Sequence, residues 1–205
     1  NALRAKGQIL AYHDRSDGGL LAAVAEMAFA GHVGVALNVD MLVTEGDGIS
    51  DSRMETGDAK NWAQQVSARR EELTLKALFN EELGVVLQVR TAERNEVMQT
   101  LREHGLSKFS HFIGKTRPAS SSINAGKGEL QVWRDAKAVF SAPLADLHQV
   151  WDAVSWKICQ QRDNPANADA EHATAGEPTD PGMQVHLTFD ASDDVAAPFL
   201  NLSRP

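Results

Sequence analysis

The sequence predicts an α/β layered fold. Two observations predict it. Short apolar or alternating runs recur along residues 9–133, and helix-period segments lie between and after them, as in sheet and helix layers sharing a core. The composition is that of a globular chain, with 42% hydrophobic and 23% charged residues. At 205 residues the chain is long enough to bury roughly 70% of its unfolded surface, so it needs no disulfide staples. Cys159 is the only cysteine, which excludes intrachain disulfides and Cys-based zinc sites. A reducing, cytoplasmic setting is the simplest reading.

Ile9 to His13 is a short apolar run ending in a turn cluster, a buried strand. Leu20 to Ala30 is rich in Ala and Leu, has no breaker and meets Gly31, so it reads as a helix with a glycine stop. It is apolar nearly all round, which means burial on more than one side. Val33 to Val39 alternates as a strand. Residues 44–69 hold Gly46, Gly48, Gly57 and five acids with little periodicity, and read as an inserted, mobile, solvated loop. A calcium-loop reading from Asp47 fails, because Ser52 and Asp58 stand where a glycine and a glutamate belong. Glu71 to Asn80 reads as a helix, Leu83 to Val89 as a strand. Thr91 to His104 reads as a helix capped by Thr91 and stopped by Gly105. Phe109–Ile113, Ser121–Asn124 and Leu130–Trp133 are shorter strands, with Asn124 to Gly128, including Lys127, a hairpin-like turn. Leu144 to about Gln161 is the last helix. Its Leu144, Leu147, Trp151, Val154 and Ile158 form one stripe expected to pack. Trp133, Trp151 and Trp156 read as large apolar anchors. Trp156 lies off that stripe, positioned to face another lobe.

The net charge is −8. An acidic chain is a poor partner for a phosphate backbone, so no nucleic acid is expected. No run approaches the roughly 20 apolar residues of a membrane helix, so no membrane is expected. From Asp163 to Pro205 there are eight acids against the single base Arg204. This stretch is rich in Ala and Pro and poor in the apolar residues that offset ordering entropy. Residues 163–184 therefore read as a linker, with Val185 to Phe189 a short strand that docks on something. The chain opens on Asn1 without Met, and its end reads as a link to a further domain.

The informative motif is Tyr12-His13-Asp14-Arg15-Ser16-Asp17-Gly18-Gly19-Leu20, where a strand turns into a helix. Gly18 and Gly19 let backbone approach a ligand, and a helix start points N–H groups at it. Asp14 offers a hard oxygen to Mg²⁺, and Ser16 a hydroxyl to a phosphate. The plainer alternative is a tight turn in which Ser16 or Asp17 caps the helix and the glycines only supply positive φ. By physics alone the plainer turn is favoured.

The residues in full say more. Tyr12 to Leu21, followed by Ala25-Glu26-Met27-Ala28-Phe29-Ala30-Gly31, closely resembles the phosphoribosylformylglycinamidine synthase family, in its large bacterial form. Leu78-Phe79-Asn80-Glu81-Glu82-Leu83-Gly84 is a second match. Trp156 with Gln161 to Pro165 and Ala168 to His172 is a third. Asp180-Pro181-Gly182, Leu187 to Asp190 and Asp194 to Pro198 form a fourth. The matches run in order from residue 9 to the end and leave out mainly 44–69, where this sequence is longer than the family's pattern.

The resemblance implies an AIR-synthetase-related C-terminal-domain fold, a mixed sheet flanked by helices. Residues 1–162 would be the last lobe of a synthetase region. Residues 163–205 would be the linker toward a following glutaminase domain. The implied parent is a cytoplasmic ligase of de novo purine synthesis. It takes ATP, glutamine and formylglycinamide ribonucleotide to formylglycinamidine ribonucleotide. The residue matching Asp14 is a Mg²⁺ ligand in the family. Ser16, with Gly18 and Gly19, would contact an ADP in an auxiliary, largely structural site completed by a preceding lobe. No catalytic residue carries over, and Cys159 lies outside any nucleophile motif. Alone, this lobe is expected to be inactive.

Other polar residues favour structural readings. Glu81 and Glu82 are expected to cap or to pair with Arg. His13 is expected to be a satisfied, half-buried histidine rather than a group orienting Asp14. Two other classes stay open. One is another superfamily enzyme, similar to selenophosphate synthetase or thiamine-phosphate kinase. The other is a non-enzymatic interaction module built on the same lobe.

Overall fold

The computed structural model describes residues 1–44, 59–117 and 128–175, and the single residues 177, 186, 188 and 190. For residues 44, 59–68 and 175 it describes the backbone alone. A short helix α1 (Ala2–Ala5) leads into β1 (Ala11–Asp14) and the helix α2 (Gly19–Gly31). Strand β2 (Gly34–Asn38), helix α3 (Asp40–Thr44), the long helix α4 (Ala59–Phe79) and strand β3 (Val85–Gln88) follow. Then come α5 (Arg94–Glu103), β4 (Gly114–Arg117), β5 (Glu129–Arg134), β6 (Lys137–Pro143), α6 (Leu144–Arg162) and α7 (Pro165–Ala175).

The strands form two sheets. β1 and β3 make an antiparallel pair with Tyr12 opposite Leu87 and Asp14 opposite Val85. The second sheet has the order β4-β2-β5-β6 and is mixed: β2 runs parallel to β5 and antiparallel to β4. The α/β class is thus as the sequence predicts, and the mixed sheet flanked by helices is as the resemblance implies.

Helix α2 is the hub, touching α4, α6, β1, β2 and β3. Its Leu20, Val24, Ala28 and Phe29 are buried against Leu37, Val39, Leu130 and Val132 of the four-stranded sheet region and against Val43, Leu78 and Leu144. Full burial of a Leu, Val or Phe contributes about 2 kcal/mol, so an apolar helix in the middle stabilises everything around it.

Several elements depart from expectation. Helix α2 ends on Gly31, but the left-handed residue after it is His32, at φ 48°. Thr91 caps nothing with its side chain. It opens a 3-10 turn over Thr91–Glu93 that leads into α5. Gly105 does end that helix, at φ +74°. The Leu106 N–H reaches Leu101 O at 2.9 Å and the Gly105 N–H reaches Arg102 O at 3.0 Å, a Schellman stop. Residues Ser107–Phe109 form a 3-10 turn, and the strand expected at 109–113 is displaced to Gly114–Arg117. The helix expected at Glu71 begins at Ala59, so 59–69 is helical rather than loop; 45–58 lies outside the described residues. Within the proposed linker, Pro165–Ala175 is a helix packed on α6. Its proline stands at the first helical position, where no N–H is needed. The strand expected at Ser121–Asn124 lies outside the described residues, as does the adjoining turn up to Lys127 and most of Val185–Phe189.

Strand β6 is absent from the sequence expectations. Its hairpin turns on Asp135 and Ala136, both left-handed at φ 52° and 59°. That is the backbone of a type I′ turn built without the usual Asn-Gly or Asp-Gly signal. The α6 stripe also divides. Leu144 and Leu147 meet the core, while Trp151, Val154 and Ile158 are 56%, 71% and 55% exposed.

Candidate functional site

Asp14 is the last residue of β1, and its side chain is exposed. β1 alternates: Ala11 and His13 turn inward, Tyr12 and Asp14 outward. Two residues apart on one face, Tyr12 donates its phenol hydrogen to Asp14 Oδ1. That bond holds the phenol above its ordinary pKa. Desolvation and the Asp14 charge push the same way.

The turn after Asp14 is held by the segment that follows α4. The Arg15 N–H donates to Gly84 O at 2.8 Å, and Arg15 Nε donates to Glu82 O at 2.7 Å. A Cβ on Gly84 would lie 3.2 Å from Arg15 Nε, so the glycine makes room for the guanidinium. The Glu82 carboxylate stands 3.8 Å from the same group. Gly18 is the helix N-cap, at φ +79°, and its N–H donates to Glu81 Oε1 at 3.0 Å. Glu81 caps and Glu82 pairs with Arg, as expected.

These contacts change the reading of the glycines. The Gly18 N–H is taken by Glu81. The Gly19 N–H is taken by Ser16 O at 2.9 Å. A Cβ on Gly19 would sit 2.7 Å from Leu78 O, so this residue lets the start of α2 close on the end of α4. Neither Ser16 nor Asp17 caps the helix with its side chain; both are exposed. The outward polar groups of the turn are thus Asp14, Ser16 and Asp17.

His13 is satisfied and half-buried. Its Nδ1 donates to Asp14 O at 2.6 Å and its Nε2 meets Glu26 Oε2 at 2.7 Å. Glu26, about two turns into the core helix, also accepts from Trp151 Nε1 at 2.9 Å. Sequence reasoning singled out neither Glu26 nor the Tyr12–Asp14 bond. The same-face spacing of residues 12 and 14 is the one signal that would have found the latter.

Trp156 packs on α7. It stacks on His172 at 4.2 Å and donates to Asp169 Oδ1 at 2.9 Å. Cys159 is half-buried in the cleft between α6 and α7. Among the described residues no group of three His, Cys, Asp or Glu side chains is placed to hold a metal ion. Asp14 offers one exposed carboxylate there, not a complete metal site. Among the described residues no helix is long and apolar enough to cross a membrane.

The described lobe is of the α/β class, with an aspartate-ended strand feeding a glycine turn and a buried helix. The family of the AIR synthase related protein, C-terminal domain, matches residues 1–123, more than half of the chain, and the chain belongs to it. Among solved structures the chain is similar to Thermotoga maritima PurL complexed with ATP, at 13% identity and a TM-score of 0.45. It is similar also to PurL of the same organism complexed with FGAR, at 14% and 0.46, and to PurLQS from Thermotoga maritima, at 13% and 0.45. These matches cover 70%, 71% and 70% of this chain but 19% of each matched chain. The chain spans about a fifth of their length.

Proposed function

We propose that this chain is a lobe of an ATP- and glutamine-dependent carbon–nitrogen ligase of purine synthesis, the one that makes formylglycinamidine ribonucleotide. Asp14 holds Mg²⁺, and Ser16 donates to a phosphate oxygen of an auxiliary ADP. Gly18 and Gly19 shape the turn that presents both. The observation that carries the reading is the outward Asp14 carboxylate at the end of β1, beside an exposed Ser16, inside the matched residues 1–123. When bound, Mg²⁺ supplies charge neutralisation to the nucleotide phosphates. One carboxylate makes a weak site for it, so preceding lobes of the same enzyme complete the site. Residues 1–162 form the lobe, and 163–205, helix α7 included, lead toward a glutaminase domain. The setting is cytoplasmic.

The test has two parts. The 205-residue chain should make no formylglycinamidine ribonucleotide from glutamine or from ammonia; product would sink the proposal. In the full-length enzyme Asp14→Asn should lower bound nucleotide and the melting temperature together, since a ligand bound only to the folded state stabilises it. Ser16→Ala should act the same way but less, having lost one hydrogen bond. Unchanged nucleotide content in Asp14→Asn would return the motif to a plain strand–helix turn.

A further inference from the structure

Three elements meet at one side chain. Glu26 projects from α2, accepts from Trp151 Nε1 of α6 at 2.9 Å, and pairs with His13 Nε2 of β1 at 2.7 Å. His13 continues the chain to the backbone oxygen of Asp14 at 2.6 Å. No sequence neighbour holds these groups together: Glu26 and Trp151 are 125 residues apart. The side chains of His13 and Glu26 are 28% and 29% exposed, so the pair is screened by water less than a surface pair would be.

We infer that Glu26 is a positioning residue for the end of β1. Through His13 it fixes the backbone of Asp14, and through Trp151 it fixes that strand end to α6. The inference rests on the reading of Asp14 as a Mg²⁺ ligand. It goes beyond it by assigning the control of that ligand to a residue that touches neither metal nor nucleotide. Trp151 also packs at 6.0 Å from Phe29 and 5.9 Å from His148, so its indole is held on three sides while its outer edge stays exposed. A shift of α6 would therefore pull on Glu26, then on His13, then on the strand end. The Tyr12 hydrogen bond to Asp14 restrains the carboxylate; the His13 bond restrains the backbone beneath it.

The chemistry of glutamine supplies a conservative control. Both ring nitrogens of His13 face acceptors when Glu26 is ionised. In Glu26→Gln the amide oxygen still accepts from Trp151, and the amide N–H₂ can donate to His13 Nε2 wherever that nitrogen carries no hydrogen. The chain of bonds survives with the charge removed. In Glu26→Ala both bonds go.

The experiment measures Mn²⁺·ADP binding to the full-length protein, alongside the indole ¹H–¹⁵N signal of Trp151. Glu26→Ala should weaken Mn²⁺·ADP by about tenfold, the usual effect of removing a group that orients a metal ligand. Glu26→Gln should stay close to the unmutated protein. Trp151→Phe keeps an aromatic ring beside Phe29 and His148 but loses the N–H and part of the ring area, and should weaken binding by less than Glu26→Ala. It also serves if Glu26→Ala fails to fold. His13→Ala should shift the Trp151 indole signal across the intervening carboxylate. A folded Glu26→Ala protein with unchanged Mn²⁺·ADP affinity, beside an Asp14→Asn protein that has lost it, would overturn the inference and leave the site standing. If Asp14→Asn binds Mn²⁺·ADP as before, the site reading fails. A Trp151 signal indifferent to His13→Ala would overturn the positioning chain in either case.

Discussion

Asp14 and Tyr12 give the site a reporter at the residue scale. Tyr12 is the only tyrosine in the chain, so phenolate absorbance reads this one group. The Asp14 carboxylate accepts its O–H, and the phenol should ionise above the ordinary value near 10. The sign follows from linkage. A raised folded-state pKa means the folded chain holds the proton longer than the unfolded chain. The contribution to stability is complete below the ordinary phenol value and is lost as pH rises through the folded value. Asp14→Asn removes the charge and should move the spectrophotometric titration back toward the ordinary value. A titration unchanged by that substitution would mean the bond does not form in solution. β-strand alternation puts Tyr12 and Asp14 on one face, a signal in the sequence that the reading of the motif does not use. The Glu26 contact carries no such signal, because nothing in a local pattern connects residue 26 to residues 13 and 151.

The glycines settle matters at the scale of elements. Gly19 stands at φ +69° with Leu78 O, Phe79 C and Phe79 Cα all within 2.8 Å of a Cβ that it lacks. Backbone cannot step aside as a flexible side chain can. Gly19→Ala should therefore combine left-handed strain with overpacking and cost at least about 2 kcal/mol, read as a lower urea midpoint. Gly105, also left-handed but with open space around it, should lose less on the same substitution. If Gly19→Ala unfolds at the unmutated midpoint, α2 and α4 are not in the contact described. The contrast also shows where sequence reading works. A breaker-free apolar run such as α2, an apolar stripe such as that of α6, and strands with buried faces, such as β2 and β5, announce themselves. Helix α4 begins in a polar segment whose start was taken for loop. Helix α7 was hidden by Pro165 and by Ala- and Asn-rich composition, though proline suits a first helical position. β6 was hidden because five of its seven residues are exposed and its turn carries Asp-Ala.

At the scale of the molecule the informative surface is that of α6. Its stripe has a single period from Leu144 to Ile158, yet only the N-terminal part reaches the core. Helix α7 covers a different side, through Asp152, Trp156 and Gln160. At 100° per residue, Val154 and Ile158 lie well round the helix from those three. An apolar residue left mostly exposed adds little to the stability of this chain. Ile158→Lys, 55% exposed in the unmutated chain, should thus leave the melting temperature within the range of an ordinary surface change, about 0.5 kcal/mol. Val24→Lys, at 4% exposure on the hub helix, should unfold the chain, because a charge would lie unpaired in the core. Thermal melts of the two variants side by side test the division of the stripe. A large loss in Ile158→Lys would mean that the stripe predicted from sequence is one buried surface after all.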